Sequence, residues 1–288
     1  NRHTMMFLQD LARHPFLQHA ILAAVLASIP GGIVGSYIVT RRSTYIAGAI
    51  SHCVLGGMGL SRYLQQVHGL AWLTPMTGAV LAAIIAAGII AAVMQHGRER
   101  IDTVLSAIWA MGMAIGIVFI MATPGYSEDL MSYLFGNILM VGRGDLLLMG
   151  LLNLIVLGLV GLFYDPLLAT SFNPQLARLR GLNVSLYEIV YLIITALTIV
   201  LLVRVVGIVL VIALLTLPAA TAGYFVTRLS RMMILATGFC LLFSVGGLVI
   251  SYEPEWPAGA TIILLSGLVY LGTATFHRLY KGSRTRES

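Results

Sequence analysis

The chain has 288 residues, 59% of them hydrophobic and only 10% charged, with a formal net charge of +6 and a mean hydropathy of +0.94. A soluble domain carries about 25% charged residues, so most of this surface must meet lipid or other buried helices. The apolar runs are too long and unbroken for the short alternating strands of a membrane barrel. That leaves an all-α, polytopic helical membrane protein whose segments satisfy their own backbone hydrogen bonds.

In chain order, membrane helices are expected near 17–40, 44–66, 72–95, 103–123, 145–165, 184–203, 205–227, 231–251 and 258–278. Each is close to the ~20 residues needed to cross a hydrocarbon core of ~30 Å, and the set reads as eight to nine crossings. The stretch 184–227 is almost continuously apolar, interrupted only at Arg204. The segment 127–144 is too polar at both ends to span and reads as a re-entrant or interfacial helix. The first span holds Pro30-Gly31-Gly32 and lacks a cleavage pattern, so it is not read as a secretory signal. Cys53 and Cys240 fall in separate spans, which excludes a disulfide framework and a CxxC metal site.

Basic residues orient the spans. Arg41 and Arg42, then His96, Arg98 and Arg100, then Arg178 and Arg180, then Arg228 and Arg231 follow alternate spans, and Arg278, Lys281, Arg284 and Arg286 close the chain. Counted as cytoplasmic, these groups leave the N-terminus outside, although Arg2 and Arg13 pull weakly the other way. Topology accounts for the positive charge, and nothing in it calls for nucleic acid.

His52 is the most informative residue. It lies in a span otherwise apolar and small, on a stripe reading Gly48, Ser51, His52, Leu55, Gly56, Gly59. Ionisable groups at membrane depth are costly and tend to mark a transport path. Imidazole is also the commonest ligand for zinc and its neighbours. The competing reading is an imidazole that only hydrogen-bonds within the bundle. Cys53 points about 100° away from His52 around the helix and reads as a packing residue.

Between the fifth and sixth spans, Phe172-Asn173-Pro174-Gln175-Leu176-Ala177-Arg178-Leu179-Arg180-Gly181 carries the signals of a short capped helix. Asn173 suits the N-cap, Pro174 the first turn and Gly181 the C′ position. Arg178 and Arg180 suit the negative end of the dipole. Leu176 and Leu179 share a face. Such a helix either docks a soluble partner or rests on lipid headgroups, and the residues alone leave both open.

Smaller candidates follow. Asp102, with Thr103 and Ser106, opens the fourth span and reads as a helix-start acid. Glu253 and Glu255, beside Trp256, lie in an outward loop where they would meet a partner protein or attract cations at a mouth, or simply be solvated; Glu128 and Asp129 read similarly. Pro218 and Thr221, in Leu217-Pro218-Ala-Ala-Thr221, are expected to break a helix in mid-membrane, where freed carbonyls would line a path. Gly31-xxx-Gly35 and Gly112-xxx-Gly116 read as helix-packing faces.

Six blocks then carry a resemblance. They are Gly35-Ser-Tyr-Ile-Val-Thr-Arg41-Arg42, Gly48-Ala-Ile-Ser51-His52, Leu134-Phe-Gly-Asn-Ile-Leu139, Phe172-Asn-Pro-Gln-Leu-Ala177 with Gly181, the run Val206 to Ala222, and Pro257-Ala-Gly259-Ala-Thr261. In this order, over residues 15 to 275, they resemble the permease subunit of bacterial ABC importers for zinc, manganese and iron. The resemblance implies a single permease domain over 17–279, after an N-terminal segment 1–16 whose first residues read as an expression remnant, and before a basic tail 280–288. It implies a multi-pass protein of the bacterial inner membrane that pairs with a second permease copy, homodimeric or paralogous.

It also implies an ATPase seated on residues 173–181 as a coupling helix, and a periplasmic or lipid-anchored metal-binding protein outside. The cargo would be a divalent ion, with no resident cofactor and with ATP used by the partner. The chain has no Walker A sequence, so it is not read as an enzyme. Many relatives carry an acid four residues before the histidine; here that position is Gly48. A site of imidazoles, Ser51 and backbone carbonyls suits zinc better than manganese. Alternative readings are a permease for a siderophore or cobalamin and an ATP-independent secondary transporter, the latter expected to show inverted repeats.

Overall fold

The computed structural model describes residues 10–11, 13–96, 100–124, 134–136 and 138–284. Among the described residues there are eleven α-helices and no strand. They are α1 (Pro15–Arg41), α2 (Thr44–His68), α3 (Pro75–His96), α4 (Ile101–Ala122), α5 (Arg143–Leu162), α6 (Tyr164–Phe172), α7 (Pro174–Leu179), α8 (Val184–Val206), α9 (Val211–Gly223), α10 (Leu229–Tyr252) and α11 (Ala258–Arg284), with a 3₁₀ turn at Ile138–Met140. Glu128, Asp129 and Arg98 lie outside the described residues.

Seven of these helices are long and apolar enough to cross a membrane. The 25-residue α2 is also long enough, though glycine, serine and the polar run after Leu60 dilute it. The seventh expected span, 205–227, is instead the 13-residue α9. At 1.5 Å per residue it is ~20 Å long, short of a full crossing.

The break lies upstream of where the sequence places it. Pro218 sits inside α9, removing one helical hydrogen bond without ending the helix. The chain breaks at Gly207–Leu210, where Gly207 takes φ 81° and ψ 172°, a conformation only glycine adopts without strain. There the backbone of residues 134–136 crosses it, with Val209 N–H donating to the Leu134 carbonyl at 3.1 Å. Gly136 and Gly259 make the crossing possible, since a Cβ on either would collide with backbone of the neighbouring segment. Irregular backbone is tolerated at membrane depth when buried and paired in this way.

The core is built on α1 and α8, which are buried over most of their length. Small residues make this possible. A Cβ on Gly32 would run into the Thr237 backbone of α10, and one on Gly35 into the Leu215 carbonyl of α9. The Gly31-xxx-Gly35 stripe is therefore the face on which α9 and α10 close against α1. Pro30 interrupts α1 and frees the Leu26 carbonyl. Asn153 of α5, buried, donates its side-chain amide to that oxygen at 2.7 Å. Asn153→Leu should leave the carbonyl unpaired and cost about 1–3 kcal/mol, read as earlier unfolding in detergent.

A second group, α2, α3 and α4, lies beside this core, joined to it mainly through α8 against α3.

Candidate functional site

α2 and α4 run in the same direction and meet at glycines. A Cβ on Gly56 would lie 2.9 Å from the Gly112 carbonyl oxygen, and one on Gly59 would lie 2.5 Å from that of Gly116. The Gly112-xxx-Gly116 stripe thus brings the two backbones together, as small-residue helix seams do. One turn before Gly112, Trp109 fills the notch at Gly48. A Cβ at Gly48 would stand 2.5 Å from the indole Cζ3. The indole stacks on His52 with ring centroids 4.2 Å apart and 20° between planes, and Tyr45 closes the other side at 5.7 Å. Tyr45 is held in turn by a 2.6 Å hydrogen bond with Ser106.

His52 itself is only 5% exposed, and its buried Nδ1 has no hydrogen-bond partner among the described residues. An unpaired polar atom in such surroundings costs about 1–3 kcal/mol, a cost that a ligand on the ring nitrogen would offset. Ser51, fully buried, donates its hydroxyl to the Gly48 carbonyl at 2.9 Å. Gly48, Ser51 and His52 are therefore together, and Trp109 and Tyr45 join them. The sequence reading missed both aromatics. The available signal was that Trp109, Gly112 and Gly116 share one face of α4, so the indole had to enter the partner helix's surface.

Pro218 and Thr221 stand apart on α9, which lies mainly against α1 and α10 and touches α2 only at an edge. Thr221 is buried and donates to the Leu217 carbonyl at 2.8 Å. Asp102 is exposed in the first turn of α4. Glu253 and Glu255 are exposed and line a cavity of about 700 Å³ with Phe16, Phe135 and Trp256. This cavity lies at the end of the bundle opposite α7.

At the other end, Asn173 caps α7, its side-chain oxygen accepting from Leu176 N–H at 3.0 Å. Pro174 opens the helix and Gly181 leaves it at φ 81°. Leu176, Arg178, Leu179 and Arg180 are all exposed, with Leu179 at 85%. The chain then turns into α8, whose Glu188 pairs with Arg41 at 2.9 Å. Arg41 also lies over the Tyr191 ring, 4.2 Å from its centroid. The short helix is thereby tied to the corner between α1 and α2, the helix that carries His52.

Comparison with known proteins follows this geometry. The chain is 39% identical over 280 residues to a "Probable metal transport system membrane protein" of Chlamydia pneumoniae, covering 96% of this chain and 95% of the relative. It is 35% identical to the manganese transport system membrane protein MntC of Listeria monocytogenes, covering 92% of each. The solved structure of PsaBC from Streptococcus pneumoniae in complex with Fab superposes with a TM-score of 0.83 at 31% identity, covering 94% of this chain and 95% of that one. Residues 13–277 match the ABC 3 transport family. The chain is a multi-pass bacterial membrane protein and belongs to the ABC 3 transport family.

Proposed function

We propose that the chain is the permease subunit of an ATP-driven importer that carries a divalent transition-metal ion into the cytoplasm, with His52 as a transit ligand. The observation that carries this reading is the buried imidazole whose Nδ1 has no partner among the described residues. Among the described residues, no three His, Cys, Asp or Glu side chains lie close enough to hold a metal. One protomer then offers one imidazole, and a second copy would supply another across the dimer axis, with Ser51 and backbone carbonyls completing a loose site. A loose site suits transit, because a tight one would trap the ion.

Imidazole donors favour zinc as cargo, whereas manganese prefers oxygen. Relatives named for manganese make that ion the direct competitor. The exposed face of α7 is the seat for the partner ATPase, and the cavity bearing Glu253 and Glu255 is the mouth where a binding protein delivers cations. Pro218 and Thr221 would line the path beside α1. Relatives named for metal transport weigh against a chelate as cargo.

The test is ATP-driven uptake of zinc against manganese in liposomes holding the permease, its ATPase and its binding protein. Zinc should enter faster, and His52→Ala should lower its uptake by about tenfold or more. Manganese entering faster would change the cargo, and uptake indifferent to His52→Ala would return the imidazole to packing.

A further inference from the structure

Gly48 stands four residues before His52 on α2, so a side chain there would project over the same patch of helix surface as the imidazole. It is the position one turn before His52 from which α2 could add a carboxylate beside the imidazole. That volume is filled by Trp109, whose Cζ3, Cη2 and Cε3 atoms lie 2.5, 3.1 and 3.2 Å from where a Gly48 Cβ would stand. The same indole lies flat on the imidazole at 4.2 Å. It therefore does two things at once: it excludes a side chain from position 48, and it sets the plane of the imidazole.

We propose that Trp109 is the specificity-determining residue of the His52 site, keeping a carboxylate out of it by occupying the space a side chain at position 48 would need. This rests on the reading of His52 as a transit ligand. The stack also suits a loaded site. An imidazole that binds a divalent ion gains positive character, and an indole face attracts it more strongly in that state. No other residue on α4 shares the role. Leu105 and Gly112 lie one turn to either side, and Gly112 meets the backbone at Cys53 instead.

The test is a four-variant set in the complete transporter, with Trp109→Ala alone as the fourth member, with zinc and manganese uptake measured in competition and the yield of folded, monodisperse complex measured separately. Gly48→Asp alone should give little folded complex, because the new side chain collides with the indole. Trp109→Ala/Gly48→Asp should recover the folded yield and shift the zinc-to-manganese ratio toward manganese by about tenfold, since it pairs a carboxylate with the imidazole. Trp109→Phe retains a stacked ring and should hold the wild-type ratio within about twofold.

Recovery of folding and uptake with an unchanged metal ratio would overturn the proposal and leave Trp109 a packing residue. So would failure of the double variant to fold while Trp109→Ala alone folds, since the indole would then not be what fills position 48. His52→Ala, run alongside, separates the two levels. If it transports normally, the transit-ligand reading fails whatever Trp109 does. If it is inactive and the ratio still ignores Trp109, only the present proposal fails.

Discussion

Gly207→Ala is expected to leave almost no folded permease. Gly207 holds φ 81° with ψ 172°, a region that costs a residue with a Cβ about 1–3 kcal/mol. The added carbon would also fall on the Gly136 nitrogen, the Leu134 carbonyl oxygen and the Phe135 carbonyl carbon. Those atoms are backbone and cannot swing aside. Overpacking of a tight junction adds about 1–3 kcal/mol more, so the total reaches the lower end of domain stabilities, about 5–15 kcal/mol. The Val209-to-Leu134 hydrogen bond would be lost with it. Folded yield after detergent extraction, judged by size-exclusion profile, checks this. Gly150→Ala, where a Cβ meets nothing within 4 Å, serves as control and should express normally. A normal yield for Gly207→Ala would mean that the crossing of residues 134–136 over 206–207 is not a fixed part of the fold.

Arg178→Glu with Arg180→Glu should cost at least tenfold in ATPase binding while leaving the permease folded. Both side chains are exposed on or beside a six-residue helix, and the cap at Asn173 and the turn at Gly181 do not depend on them. The substitution swings the local charge by four units, and like charges brought together across an interface cost several kcal/mol. Co-purification of the tagged permease with its ATPase reads the result, and rising salt should narrow the gap between variant and wild type. Undiminished co-purification, with the complex still active, would place the docking surface elsewhere. The Arg41–Glu188 pair and the Ser43–Tyr191 hydrogen bond join the start of α8, just beyond α7, to the corner leading into α2.

Several features were legible in the residues because they depend on short-range chemistry. The long apolar runs dictate helices in a bilayer, so the helical bundle needed no tertiary information. Asn173, Pro174 and Gly181 mark the bounds of α7 because capping and φ preference are local properties. An imidazole in an apolar span is unusual whatever surrounds it, so His52 stood out alone.

Other features depended on contacts between distant segments. The apolar stretch 184–227 hides its break because Gly207 looks like any small residue until residues 134–136 are laid across it. Pro218 looks like a break but continues a helix, since a buried proline costs one hydrogen bond and neighbouring helices can hold the rest. Asn153 gained a purpose only when its amide was found on the carbonyl that Pro30 frees, 127 residues away. The absent acid at Gly48 is the clearest case. From sequence it is a missing ligand, whereas in the fold the space is occupied by Trp109, 61 positions further along the chain. The sequence by itself determined a helical membrane bundle with an imidazole in an apolar span and a short capped helix between two spans. Only the tertiary structure decided what stands beside that imidazole, because side-chain neighbours across helices are set by close packing and not by local preference.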